Sequence, residues 1–216
     1  MERQPRLSPL DLMLLTRRTF LLAVVGAAGL TERAVARGQA GGASLDAFAT
    51  GGLDCAPGTV ATPAIRPDGT FKAGAPRRTS LVEPGANGPR LVLTGTVAGL
   101  KCGPIKDAVL DFWHPDAAGS YDISGFRYRG SQLTDAQGRF TLTTIVPGAA
   151  GGRAPHLSVR VAVPPLTAPN SAPQVVLWTE IFLPGDARNA RDPRYRPELA
   201  MIKRVADATF DIRLDR

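Results

Sequence analysis

Histidine, tyrosine and cysteine are scarce in this chain of 216 residues, which contains two histidines, three tyrosines and two cysteines. The cysteines lack the C-x-x-C spacing typical of metal sites. Basic residues are spread along the sequence, and aromatic residues make up only 6% of it, so there is no basic stripe with interleaved stacking side chains. We therefore expect no nucleic-acid partner, and a metal site would have to be assembled from few candidate ligands.

A long apolar segment is also missing. The apolar run at residues 20–30 is about half as long as the roughly 20 residues that a membrane-spanning helix needs. Arg17 and Arg18 precede the run, and Ala34-Val35-Ala36 follows it. This order is typical of a twin-arginine export signal that is cleaved after the last alanine. We expect residues 1–36 to be a signal peptide and the mature protein to lie, free of the membrane, in the periplasm or outside the cell.

The net charge is moderately positive. It is +7 for the whole chain and +5 without the predicted signal, which carries five arginines and three acidic residues. A surplus of this size favours small anionic molecules, such as aromatic carboxylates, as partners. No pattern in the sequence indicates an oligomeric state.

Cys55 and Cys102 both remain after removal of the predicted signal. Because the expected compartment is oxidising, a disulfide between them is the first interpretation. Two inert thiols, or one cysteine that binds a metal, are the alternatives.

Three regions follow the predicted signal. Residues 37–54 are rich in glycine and alanine and predict a flexible leader, and residues 55–216 predict one domain. Its first part, up to residue 89, is rich in proline and glycine and predicts an irregular arm laid over the core. The rest alternates apolar and polar residues in short runs typical of an all-β, antiparallel β-sandwich. The predicted strands are Arg90–Ala98, Ala108–Trp113, Arg139–Ile145, His156–Val163, Gln174–Leu183 and Ala206–Leu214, and a short helix is possible within Asp192–Met201.

Two motifs in the middle of the chain carry chemical information. The first is Asp116-Ala-Ala-Gly-Ser-Tyr121, and the second is Pro147-Gly-Ala-Ala-Gly-Gly-Arg-Ala-Pro-His-Leu-Ser158. Together with the sequence around them, they resemble the iron-binding segments of the intradiol ring-cleavage dioxygenases, which include the protocatechuate and catechol dioxygenases. That family has the motifs D-x-x-G-x-Y, P-G-x-Y and H-x-H, and the resemblance extends over nearly all of residues 55–214.

The resemblance implies a set of site residues. Tyr121 and His156 stand at two of the four positions that bind Fe(III) in the family, whereas Ala150 and Ser158 replace the second tyrosine and the second histidine. Arg153 stands at the position of an arginine that stabilises negative charge on the bound substrate.

Two further side chains are candidates for the site. Glu180 stands where many family members have a glutamine near the substrate, and its carboxylate could bind substrate or replace a missing ligand. His114, beside a tryptophan, is the other candidate substitute ligand.

The replaced positions matter because of the chemistry of ferric iron. Phenolates are hard, strongly donating anions that stabilise the ferric state, and imidazoles complete the set. A strand with an H-x-H motif presents both imidazoles on one face, because side chains alternate along a strand. A neutral serine hydroxyl is a poor ligand for ferric iron, and alanine provides no ligand.

Three hypotheses for function follow. The resemblance implies an oxidoreductase that opens catechol-type or protocatechuate-type rings with non-haem Fe(III), a reaction of aromatic compound catabolism. The incomplete ligand set favours instead a non-catalytic, exported binding module on the same fold, with a small aromatic or anionic ligand. The third is an enzyme that uses a divalent metal held by Tyr121, His156 and a carboxylate.

Overall fold

The computed structural model describes residues 58–66 and 68–216. The predicted signal peptide, the predicted leader and Cys55 lie outside this part of the chain. The described strands are β1 (Arg90–Gly99), β2 (Val109–Trp113), β3 (Arg129–Leu133), β4 (Arg139–Ile145), β5 (His156–Val163), β6 (Gln174–Phe182), β7 (Ile202–Lys203), β8 (Asp207–Thr209) and β9 (Ile212–Leu214). Two short 3₁₀ helices, Ala187–Arg191 and Pro197–Leu199, lie between β6 and β7. Within the described residues, no helix is both long enough and apolar enough to cross a membrane.

The strands form two sheets. One has the order β4-β1-β8-β7, with β9 also paired to β1, and the other has the order β3-β2-β5-β6. All pairs are antiparallel except those of β1 with β8 and β9. The inward-facing apolar residues of both sheets belong to one buried cluster. The predicted all-β sandwich is therefore confirmed.

The C-terminal strand differs from its prediction. A single strand was expected from residue 206 to residue 214, but β8 and β9 are separate. Between them, the side chain of Asp211 accepts the backbone hydrogen bond of Thr96 N at 2.9 Å, a role that a strand neighbour would normally fill through its backbone. The local sequence keeps its apolar alternation across this break, so periodicity alone does not reveal it.

The predicted helix within Asp192–Met201 is also only partly present. The first 3₁₀ helix ends before Asp192, and the second is a three-residue turn that begins at Pro197. Two prolines in this segment remove backbone donors and limit any helix to a short turn.

The segment before β1 lies across the sandwich without forming a long strand, as predicted for an irregular arm. Ile65 N donates to Trp178 O at 2.7 Å, and Leu81 N donates to Thr143 O at 2.8 Å. Leu81 is fully buried in the core. The arm thereby brings Asp68, far away in sequence, onto the outer face of the β2-β5-β6 sheet.

Cys102 is buried and has a positive φ of 58°. Its proposed partner, Cys55, lies outside the described residues, so the disulfide stays a prediction. Closure of a loop of about 48 residues would stabilise the fold by about 4 kcal/mol in the chain-entropy account. Reduction should therefore lower the melting temperature by roughly 10 °C.

The intact mass of exported protein checks this expectation and the predicted cleavage site together. It should correspond to residues 37–216 less two hydrogen atoms. Two titratable thiols in unreduced, denatured protein would contradict the disulfide, and an uncleaved N-terminus would contradict the signal.

Candidate active site

The loop after β2 carries Tyr121 and is held against the loop after β4. Gly148 N donates to Asp116 O at 2.8 Å. Gly119 has a φ of +89°, and a Cβ there would lie 1.9 Å from Ala149 O, so only glycine allows the two loops to approach this closely. The Asp-x-x-Gly-x-Tyr motif thus allows the two loops to pack closely, which places Tyr121 beside the segment that contains Ala150.

Strand β5 separates the core from the site. Leu157 points into the apolar core, whereas the alternate residues His156 and Ser158 lie on the opposite face. Ser158 pairs with Trp113 on β2 and with Glu180 on β6. These paired side chains share the outer face of the sheet, so the register brings Glu180 next to the two positions of the predicted histidine motif.

His156 is buried, with 2% of its surface exposed. Its Nδ1 lies 2.7 Å from Ala154 O, and because a carbonyl oxygen only accepts, Nδ1 carries the hydrogen. Nε2 of the neutral ring therefore has a free lone pair, 3.8 Å from Glu180 Oε1. Burial lowers the pKa of His156, which keeps the ring neutral and able to bind a metal.

The Tyr121 hydroxyl is the other predicted ligand atom. Burial and, to a smaller extent, the negative charges of Asp68 and Glu180 raise the pKa of Tyr121 to about 12. Among the described residues, four buried side-chain polar atoms have no hydrogen-bond partner, and Tyr121 Oη and His156 Nε2 are two of them. Buried polar atoms without a partner are uncommon, so both predicted ligand atoms are available to a bound group.

Arg153 is held by carboxylates on two sides. Its Nη1 and Nη2 donate to the two oxygens of Glu180 at 2.9 and 2.5 Å, and its Nε lies 3.1 Å from Asp192 Oδ2. Asp192, whose side chain is fully buried, also accepts from Ala154 N at 2.9 Å. Burial alone would lower the pKa of Arg153, but the hydrogen bonds to the two carboxylates raise it above its ordinary value. The predicted role of Arg153 at a substrate stays a prediction, and its guanidinium is engaged within the protein.

Arg194 and Asp68 complete this charged group. Arg194 Nη1 lies 3.0 Å from Glu180 Oε1 and 3.8 Å from Asp68 Oδ2. Thr70 Oγ1 donates to Asp68 Oδ1 at 2.6 Å. Burial alone would raise the pKa of Asp68, but the bonds from Thr70 and the charge of Arg194 hold it below its ordinary value. Asp68 is therefore ionised at neutral pH.

The two replaced positions leave little room for the missing ligands. Ser158 is buried, and the cavity beside it, between Trp113 and Trp178, is about 10 Å³, about enough for one water molecule. Ala150 ends in a methyl group. The residues present thus do not supply the family's two-tyrosine, two-histidine set for Fe(III). What they do supply is one phenol, one imidazole and the carboxylates of Asp68 and Glu180.

His114 is not available as a substitute ligand. Its Nδ1 lies 2.7 Å from Pro115 O, and its Nε2 lies 2.6 Å from Thr144 Oγ1. Burial lowers its pKa to about 4, so the ring is neutral and both nitrogens are used in structural hydrogen bonds.

A separate cavity of about 350 Å³ opens beside Tyr121. Arg129 lies in its wall and is 3% exposed. The guanidinium donates to Thr70 O at 2.7 Å and to Asp122 O at 3.0 and 3.2 Å, and no carboxylate within the described residues pairs with it. Burial lowers the pKa of Arg129, and the negative charge of Asp122 offsets part of this effect. The other lining residues are Gly69, Thr70, Phe71, Lys72, Tyr121 and Ile123.

Sequence reasoning missed several members of this site, namely Asp68, Arg129, Asp192 and Arg194. Asp68 precedes a glycine in the irregular arm and has the sequence pattern of an ordinary turn. Asp192 begins the segment in which the sequence predicts a short helix, and nothing around it indicates a site residue. The spacing of these residues in the sequence does not predict that they lie near the site in the folded protein.

The fold and the site together define a β-sandwich protein with a buried phenol–imidazole–carboxylate centre beside a small cavity. A family model described as "Dioxygenase" matches residues 63–160. The dioxygenase domain of a dioxygenase carbohydrate-binding protein fusion from Streptomyces sp. SirexAA-E is 40% identical, with a TM-score of 0.65, over 72% of this chain and 99% of that one. The chain belongs to the intradiol ring-cleavage dioxygenase family.

Two other relatives are more distant. The protocatechuate 3,4-dioxygenase alpha chain of Burkholderia cepacia is 34% identical over 93 residues, which make up 38% of this chain and 47% of that protein. The chain thus spans about half the length of this curated relative. The 3-chlorocatechol 1,2-dioxygenase of Rhodococcus opacus 1CP is 25% identical, with a TM-score of 0.56, over 68% of this chain and 69% of that one.

Proposed function

We propose that this chain is an exported binding member of its family. It binds a small anionic aromatic molecule in the cavity beside Tyr121, and it does not open aromatic rings through an iron centre of two tyrosines and two histidines. The observation that carries the proposal is the buried guanidinium of Arg129, which lines this cavity and forms no ion pair with a carboxylate of the described residues.

The ligand class follows from the cavity wall. An internal positive charge that no carboxylate contacts directly is costly, and a carboxylate placed against Arg129 and Lys72 would add a direct partner. Phe71 and Tyr121 offer aromatic surfaces on the same wall. A volume of about 350 Å³ lies within the usual range for small-molecule sites. The names of two relatives, a protocatechuate and a chlorocatechol dioxygenase, also support an aromatic ligand.

The loss of ring cleavage follows from the centre beside the cavity. Ser158 and Ala150 provide neither an imidazole nor a phenolate, so two strong ligands for ferric iron are missing. Arg153 is tied to Glu180 and Asp192, and its charge is already neutralised before any substrate binds. The arginine that contacts substrate elsewhere in the family thus has internal partners in this chain.

Titration calorimetry on metal-free protein tests the ligand class. We expect 3,4-dihydroxybenzoate to bind at least about tenfold more tightly than catechol, because only the former presents a carboxylate to the two basic side chains. Lys72→Met should weaken binding of 3,4-dihydroxybenzoate and leave catechol unchanged, since the variant keeps the apolar stem and loses the charge.

Lys106→Met is the matched control, because Lys106 is exposed on another part of the molecule and pairs only with Asp107 at 3.6 Å. This variant should behave like the wild type. Equal affinities for the two compounds, or no binding of either, would contradict the proposed ligand class.

Ring cleavage by an altered iron centre is the second candidate, and the unpartnered Tyr121 Oη and His156 Nε2 favour it. An oxygen electrode distinguishes the two functions. Protein supplied with ferric iron and either catechol or 3,4-dihydroxybenzoate should consume no oxygen above the rate of iron alone. Sustained consumption with a ring-opened product would refute the non-catalytic proposal while leaving the ligand class intact.

A further inference from the structure

The position of Arg194 shows where a positive charge is held in this site. Its Nη1 lies between two carboxylates, 3.0 Å from Glu180 Oε1 and 3.8 Å from Asp68 Oδ2. Its side chain is 30% exposed, so it can swing into solvent without disturbing the core. The Arg194 side chain therefore places a positive charge at the edge of the site, and this side chain can move away from it.

Beside that position is a buried nitrogen with no partner. His156 donates from Nδ1 to Ala154 O, which leaves the Nε2 lone pair directed at the same carboxylates. A backbone carbonyl that fixes the tautomer in this way is the usual arrangement behind a metal-binding histidine. The Nε2 lone pair is thus free to coordinate a metal cation. Arg194 cannot serve as that cation, because a guanidinium donates hydrogen bonds but does not accept ligands as a metal ion does.

The distances also suit one ion. Ligand atoms of Asp68, His156 and Glu180 all lie within 4.8 Å of one another. Ligands around one tetrahedral Zn²⁺ ion lie about 2 Å from it, so two ligand atoms of the same ion are about 3.3 Å apart. Closure of these side chains on one ion would need shifts of less than about 1 Å.

The charge balance specifies the type of ion. When Arg194 moves out, three carboxylates (Asp68, Glu180 and Asp192) face the single guanidinium of Arg153. This leaves an excess of two negative charges, which one divalent cation would neutralise. Imidazole nitrogen favours first-row transition metals over Mg²⁺ or Ca²⁺.

We propose that Asp68, His156 and Glu180 form a binding site for a divalent transition-metal cation, with Zn²⁺ as the preferred probe, and that Arg194 competes with the cation for the two carboxylates. This ligand set is different from the two-tyrosine, two-histidine set of the family, and only His156 is common to both. The inference goes beyond the proposed function, because the cation binds without an aromatic ligand.

Calorimetric titration of chelator-treated protein with Zn²⁺ or Mn²⁺, in the absence of any aromatic compound, tests the site. We expect one ion per chain, with Zn²⁺ tighter than Mn²⁺. Asp68→Asn, Glu180→Gln and His156→Gln should each weaken binding at least about tenfold. Arg194→Met should strengthen it by about tenfold or more, because a competing positive charge has been removed.

Matched controls separate the site from general charge effects. Glu198→Gln and Arg196→Met change exposed residues of the same charges and should leave the affinity for Zn²⁺ unchanged. Should the variants of buried residues fail to fold, Asp68→Asn and Arg194→Met still decide the matter, because both side chains are partly exposed. Anomalous scattering from a Zn²⁺-loaded crystal gives an independent location for the ion.

The inference would be overturned if Zn²⁺ did not bind stoichiometrically, or if Asp68→Asn and Arg194→Met left the affinity for Zn²⁺ unchanged. An anomalous peak elsewhere in the molecule would also overturn it. Failure of Zn²⁺ binding leaves the carboxylate preference in the neighbouring cavity untouched, because that preference is measured on metal-free protein.

Discussion

The double variant Ala150→Tyr, Ser158→His should bind ferric iron tightly and acquire a visible absorption band, whereas the wild type should stay colourless or faint. The two substitutions add a phenolate and an imidazole to Tyr121 and His156, which rebuilds the ligand set of the family. The band would arise from phenolate-to-iron charge transfer. Iron content and the visible spectrum of the purified variant measure the result, and each single variant should have an intermediate affinity.

The structure indicates what this restoration costs. Ser158 has only about 10 Å³ of free space beside it, so an imidazole must displace a neighbour. Overpacking of this kind costs about 1–3 kcal/mol. The stretch of the arm around Asp68 can yield more easily than the paired strands, because its described residues between Ile65 and Pro76 make no backbone-to-backbone hydrogen bond to the sheet. The variant should therefore fold with a lower melting temperature in the absence of iron and recover stability when iron binds.

Ala150→Phe combined with Ser158→His is the matched control, because it adds the same ring without the phenol oxygen. It should pack like the double variant, bind iron more weakly and show a weaker charge-transfer band. A well-folded double variant that binds no iron would show that residues 150 and 158 do not face Tyr121 and His156. Stoichiometric iron together with ring-cleaving activity in the wild type would instead contradict the proposed loss of function.

Arg153→Met should destabilise the protein by about 3–5 kcal/mol, the usual cost of removing one partner of a buried ion pair. Asp192 would keep its charge with no exposed surface, and Glu180 would lose its two hydrogen bonds from Arg153 and keep the one from Arg194. Methionine retains most of the apolar stem, so the loss reports the charge rather than a cavity. Urea unfolding followed by circular dichroism gives the free energy of unfolding.

Arg188→Met is the control for this measurement. Arg188 pairs with Asp186 at 3.0 Å, but its side chain is 57% exposed, and exposed pairs contribute about 0–1 kcal/mol. The control should unfold within about 1 kcal/mol of the wild type. A similar, small loss for Arg153→Met would mean that water enters the site and solvates the two carboxylates. That result would also weaken the charge argument for a cation site.

The pKa of Asp192 adds a pH dependence to the same experiment. Burial would raise this pKa, but the hydrogen bonds from Arg153 hold it below its ordinary value. A carboxyl group whose pKa is lowered by folding contributes stability above its unfolded pKa, and this contribution is lost as the pH falls through the folded value. The stability difference between wild type and Arg153→Met should therefore shrink as the pH is lowered below about 4.

The sequence by itself determined the class of fold and predicted two residues of the candidate site. Alternation of apolar residues located β4 and β5 at their observed bounds, because each of these strands buries one face against the core. The motif around Gly119 identified Tyr121 through the family resemblance. At position 119 itself, the close approach of two loops excludes any residue except glycine. His156 followed from the same family resemblance, and its place on β5 put it on the face away from the core.

Only the tertiary structure decided what surrounds those two residues. Asp68 comes from the arm, and Arg194 comes from a turn between two 3₁₀ helices, about 126 residues further along the chain. Neither segment has a periodicity that fixes its position. The arm is placed by backbone hydrogen bonds to distant strands, such as that of Ile65 N to Trp178 O, and the turn is held by the bond from Ala154 N to Asp192 Oδ2. The sequence therefore revealed which ligands were lost, whereas the carboxylates and guanidinium groups that now meet at His156 depend on long-range packing, which local spacing does not encode.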